Sequence, residues 1–79
     1  YGMRSMRDTA KRLQQALIMR GRNISLNSRQ FYSIKYDKVL TCWQIREDNK
    51  LILKTYSVAA VVQELAKMYK EAQDEEAAT

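Results

Sequence analysis

At 79 residues the chain has room for a single domain, and its make-up, 46% hydrophobic and 29% charged with two Gly and no Pro, is that of a globular protein rather than a disordered or fibrous one. A chain this short buries only about 60–65% of its unfolded surface, which excludes a doubly wound nucleotide fold or a multidomain enzyme and argues against a deep catalytic cleft. The net charge of +5 is unevenly placed: residues 1–22 hold six basic side chains against Asp8 alone, while residues 57–79 hold Lys67 and Lys70 against five carboxylates. A field of that shape attracts polyanions, or the acidic end of another copy.

Residues 1–4 read as a disordered or vector-derived lead. Met6, Ala10, Leu13 and Leu17 then recur at spacings of four, three and four, a stripe about 60° wide on a helix. Arg4, Arg7 and Lys11 fall on the opposite side, and Gly21 stands where a left-handed cap is wanted. The spacing therefore predicts an amphipathic helix over residues 5–20, apolar on one face and basic on the other. Arg22–Ser28 reads as a polar connector in which Ile24 and Leu26 alternate and could start a strand. Arg29–Tyr36, rich in aromatic and β-branched residues, predicts the first strand, with Asp37-Lys38 as a tight turn.

Val39–Arg46 alternates, with Val39, Thr41, Trp43 and Ile45 on one face and Leu40, Cys42 and Gln44 on the other. Glu47-Asp48-Asn49-Lys50 carries turn chemistry, and Leu51–Tyr56 predicts a third strand. Ser57 is a good N-cap. Val58, Val61, Val62, Leu65, Met68, Tyr69 and Ala72 then recur at helical spacing over an arc about 120° wide. The order is helix, three-stranded antiparallel meander, helix (αβββα). This is an α+β fold of two layers with both helices on one face of the sheet. The expected domain covers residues 5–73, and residues 74–79 read as a disordered acidic tail.

The sequence contains no His and one Cys, so the commonest neutral-pH base, a Cys-based zinc site and an intrachain disulfide are all missing. It contains no Gly-rich phosphate loop and no nucleophile elbow. Asp37, Glu47 and Asp48 are explained by turn chemistry rather than by acid–base work. Cys42 in mid-strand reads as a small hydrophobe. The expectations are a protein that is not an enzyme, uses no cofactor, metal or small-molecule substrate, does not enter membranes, and is cytoplasmic.

Two surfaces remain as candidates. One is the basic helix face of Arg4, Arg7, Lys11 and Arg12, whose bland reading is a solvated outer face. The other is the sheet, where Arg29, Lys35, Lys38, Arg46 and Lys54 interleave with Tyr32, Tyr36, Trp43 and Tyr56, as in single-stranded nucleic-acid binders. Tyr32, Tyr36 and Trp43 are candidate anchors of a partner interface, unless Trp43 faces the helices and is core. Nucleic acid is the leading expected partner. The alternative is a protein-interaction or homodimerisation module, such as an accessory protein of a mobile element, and a homodimer would relieve the thin core.

The element order is also that of the double-stranded RNA-binding domain. The Lys-rich start of that domain's second helix is absent here, where the helix opens Ser57-Val58-Ala59-Ala60 and meets no Lys until Lys67. The segment from Trp43 to Leu65 resembles the DNA-binding domain at the N-terminus of phage-type integrases. The likeness is carried by Lys54-Thr55-Tyr56-Ser57-Val58-Ala59-Ala60, a strand ending in a basic and an aromatic residue before a Ser-capped helix. The first helix has no counterpart in that pattern. The resemblance implies a sheet that reads a DNA groove.

Overall fold

The computed structural model describes residues 5–78 as α1 (Met6–Met19), β1 (Ile24–Ser33), β2 (Lys38–Glu47), β3 (Lys50–Thr55) and α2 (Val58–Ala78). The strands form one antiparallel sheet in the order β1-β2-β3.

Both ends of α1 are capped, the C-terminal end by the Gly21 that the sequence offered for it. The Ser5 hydroxyl accepts the Asp8 backbone N–H at 3.2 Å, so one orphan donor of the first turn is satisfied. At the other end Gly21 has φ 88°. Its N–H reaches the Ile18 carbonyl at 2.9 Å, and the Arg22 N–H reaches that of Leu17 at 3.1 Å. This is a Schellman cap, and it needs the left-handed residue that Gly supplies. Ser57 caps α2 in the same way, accepting the Ala60 N–H at 3.3 Å.

The first strand differs from expectation. It begins at Ile24 rather than Arg29 and stops at Ser33, and residues 34–37 form the turn. The polar run Ser25, Asn27, Ser28 is compatible with a strand because Ile24 and Leu26 on the alternate phase pair with Glu47 and Ile45 and join the core. Asp37 (φ 51°), Asp48 (φ 52°) and Asn49 (φ 68°) take the left-handed conformations of the two hairpin turns. Asp48 and Asn49 form a two-residue loop closed by the Glu47–Lys50 pair, the geometry that requires positive φ twice. The register shifts between Ile45 and Arg46, which leaves Ile52 as the extra residue and turns Leu53 toward the core.

One strand phase carries the core. Ile24, Trp43 and Ile45 are buried, with Leu26 and Leu53 packed against them. From the helices come Ala10 and Leu17 of α1 and Val61, Leu65, Met68 and Ala72 of α2. Both helices therefore lie on the same side of the sheet, in two layers, and the other side of the sheet is uncovered.

The helices run side by side in the same direction, each folding back along its neighbouring strand. Their C-terminal ends meet where Arg20 ion-pairs with Glu76, and its guanidinium lies 4.9 Å over the Tyr69 ring. This clamp explains why α2 continues as helix to Ala78 rather than dissolving into a disordered tail at residue 74. Ala72 is buried, Ala and Glu are good helix formers, and the basic end of α1 holds the acidic turn.

The same end of the molecule is tied further. Arg22 grips Glu47 through two hydrogen bonds of 2.6 and 2.7 Å. The Asp48 N–H donates to the Asn23 carbonyl at 3.1 Å, and the Gln14 amide to the Ile24 carbonyl at 3.1 Å. Among the described residues the opposite end carries no side-chain ion pair between elements. There the far halves of β1 and β2 extend beyond the helices as an arm, leaving Tyr32, Ile34, Tyr36 and Val39 exposed.

Candidate nucleic-acid interface

Strand alternation determines what the uncovered face presents. From β1 it takes Asn27, Arg29 and Phe31; from β2, Leu40, Cys42, Gln44 and Arg46; from β3, Lys54, with Tyr56 just beyond its end. Phe31 and Tyr56 come from the two edge strands and meet edge to face, with ring centroids 5.9 Å apart and planes at 61°. The pair spans the central strand, with Leu40 on one side and Cys42 on the other.

Two shallow depressions result, and both are walled by these rings. The first, about 370 Å³, adds Ser33, Tyr36, Lys38 and Leu40. The second, about 320 Å³, adds Arg29, Cys42, Gln44 and Lys54. Among the described residues no carboxylate lines either depression. Glu47, on the helix-side phase, is held by Arg22, and Asp37 and Asp48 stand in the turns. The Arg46 guanidinium donates to the Gln44 amide oxygen at 3.3 Å and to the Asn49 carbonyl at 3.4 Å, which engages the Gln44 oxygen and not its amide nitrogen. Cys42 is a half-buried free thiol.

The residues singled out in the sequence do not form one surface. Arg29, Arg46 and Lys54 share the uncovered face, and Lys35 stands on the turn of the arm, its ammonium 5.4 Å over the Tyr36 ring. Lys11 and Arg12 are exposed on α1, in the other layer. Arg4 lies outside the described residues.

Arg7 does not point away from the apolar stripe as expected. It stands on the flank that faces the sheet, its guanidinium 5.5 Å over the Trp43 ring. Trp43 itself is only 7% exposed and belongs to the core between sheet and helices. It is therefore not available as an interface anchor. Burying the largest side chain of the chain against the helices outweighs holding it in water.

Of the other two anchors, Tyr32 is on the helix-side phase of the arm and Tyr36 is in its turn, lining the first depression. The three aromatic residues lie in three different places. Phe31 and Gln44 were not among the expected site residues, whereas Lys38 was among the cations expected on the sheet. A signal for Phe31 was present: Arg29-Gln30-Phe31 and Lys54-Thr55-Tyr56 each place an aromatic two positions after a cation, which puts both on one face of a strand.

Among the described residues no three His, Cys, Asp or Glu side chains are grouped to hold a metal ion, and no helix is long and apolar enough to cross a membrane. Comparison with family models, curated proteins and solved structures gives no match.

Proposed function

We propose that this protein is a non-enzymatic nucleic-acid-binding module and that the uncovered face of its sheet makes the contact. The observation that carries this reading is the company the cations keep. Arg29, Lys54 and Arg46 share a face with exposed aromatic rings, and Arg29 and Lys54 line a depression that among the described residues contains no carboxylate. Cations without acidic neighbours draw phosphates by releasing condensed counterions, and the rings offer bases a surface to stack on. Among the described residues no aromatic ring lies against the charge of Lys11 or Arg12, which are exposed on α1 and act as its solvated exterior.

Anisotropy titration of labelled oligonucleotides at low and moderate salt tests this. Affinity should fall with salt at a logarithmic slope of about −2 to −3, one unit or slightly less per phosphate contacted. The double charge reversal Arg29→Glu/Lys54→Glu should lower affinity more than about tenfold, while Lys11→Glu/Arg12→Glu should change it less than about threefold. Absence of any binding at low salt would overturn the proposal.

A second reading rests on a different observation. The arm beyond the helices leaves Tyr32 57%, Val39 60% and Ile34 89% exposed. The accessible surface of the molecule is 6050 Å², against about 5000 Å² for a compact monomer of this mass. Self-association through the arm would cover that excess. It requires a dimer in sedimentation that persists at high salt and weakens in Tyr32→Ser and Val39→Ser; a monomer at high micromolar concentration removes it.

A further inference from the structure

We infer that the ligand of the uncovered face is a single-stranded nucleic acid, with successive bases seated on either side of the Phe31–Tyr56 pair. The inference rests on the nucleic-acid reading above and narrows it.

The two rings sit in the middle of the face, 39% and 61% exposed, between the two depressions they wall. Their edge-to-face contact at 61° sets the edge of one ring against one face of the other, so the two rings are not stacked on each other and their remaining faces are not used in the pair. A duplex has little use for such a surface. It turns phosphates and groove edges outward and keeps its base faces inside its own stack. An unpaired strand presents base faces directly, and every base has one.

The cations are distributed as such a strand needs them. Lys38 stands beside the first depression, and Arg29 and Lys54 flank the second, so a backbone crossing the aromatic ridge meets positive charge on both sides. The Gln44 amide, oriented by Arg46, supplies donors at the floor of the second depression, where a base edge would lie. An acidic peptide would also meet these charges. An extended peptide, however, draws its affinity from backbone hydrogen bonds, and those are offered at the edges β1 and β3, in the plane of the sheet rather than on its face.

The test compares oligothymidylate and oligoadenylate of about twelve nucleotides with a duplex of the same length, and with polyglutamate as a competitor. Phe31→Leu and Tyr56→Leu keep apolar bulk and remove the stacking surface; Tyr56→Trp keeps it. Circular dichroism and thermal melting verify that each variant is folded. The single strands should bind at least about tenfold more tightly than the duplex. Each Leu variant should lose about tenfold in single-strand affinity, and Tyr56→Trp should retain it. Duplex binding that equals or exceeds single-strand binding, undiminished affinity in both Leu variants, or displacement by polyglutamate at equal charge would each overturn the inference. The first two results leave the broader nucleic-acid reading standing, whereas that reading falls separately if no oligonucleotide binds or if Arg29→Glu/Lys54→Glu binds like the parent.

Discussion

Trp43 shows how one residue's surroundings alter its meaning. In the sequence it stands among cations, the company of an interface aromatic. In the fold it is wedged between sheet and helices at 7% exposure, with Arg7 across its ring. Trp43→Ala should therefore act on stability before it acts on any partner, lowering the unfolding free energy by about 3–5 kcal/mol in denaturant titration. A variant that melts like the parent would mean the side chain is not core. Arg22 and Glu47 make a second prediction at this scale. The two-pronged contact with Arg22 holds the Glu47 carboxyl below its ordinary range, and the carboxylate raises Arg22 in return. A depressed carboxyl contributes stability that is full above its unfolded value, about 4.3, and is lost as pH falls through the lower folded value. Both side chains are about a quarter exposed, so the contribution is about 1 kcal/mol or less. Melting followed from pH 7 downward should show Glu47→Gln losing less stability on acidification than the parent; parallel curves would show that the pair contributes nothing.

The elements are closed by local chemistry, and that chemistry can be removed residue by residue. An alanine Cβ at Gly21 would meet nothing within 4 Å, so Gly21→Ala tests the left-handed backbone alone. It should destabilise by about 1 kcal/mol, read as a lower denaturant midpoint with an unchanged slope. The last turns of α2 depend on a contact further off. Their hold is Arg20, whose guanidinium pairs with Glu76 and donates to the Tyr69 hydroxyl. In Arg20→Ala the amides of residues 73–78 should exchange faster while those of residues 58–70 keep their protection; uniform protection along the helix would show that the clamp is not what maintains the end.

For the molecule as a whole, one end is laced and the other is free. Helix C-termini, the α1–β1 connector and the β2–β3 turn are joined by Arg20–Glu76, Arg22–Glu47 and the Asp48–Asn23 bond. Among the described residues the arm of β1 and β2 is held by its own ladder, by the contacts of its turn (the Tyr36 N–H to the Ser33 hydroxyl and Lys35 over the Tyr36 ring) and by the Phe31–Tyr56 contact. The radius of gyration, 14.3 Å, exceeds the roughly 12 Å of a compact chain of this length, as a projecting arm requires. Native-state hydrogen exchange should find residues 31–40 opening before residues 24–26 and 43–46, because few buried apolar contacts oppose it. Added oligonucleotide should protect that same segment if the face is the binding surface.

Much of this architecture is legible without coordinates, because it is local. The stripes of α1 and α2, the caps Gly21 and Ser57, and the left-handed Asp48-Asn49 turn each depend on residues within a few positions of one another. The site was only half legible. Arg29, Arg46 and Lys54 were among the expected residues, but so were Lys11 and Arg12 on a second candidate surface, which lies in the other layer. A strand's alternation has period two and treats its two faces alike, so Val39–Arg46 could not reveal whether Trp43 or Cys42 pointed inward. Packing decided that, by placing both helices against Ile24, Trp43 and Ile45. The same choice turned Arg29, Phe31, Lys54 and Tyr56 together toward solvent, and it brought Arg20 to Glu76, 56 positions along the chain, to carry α2 to its end.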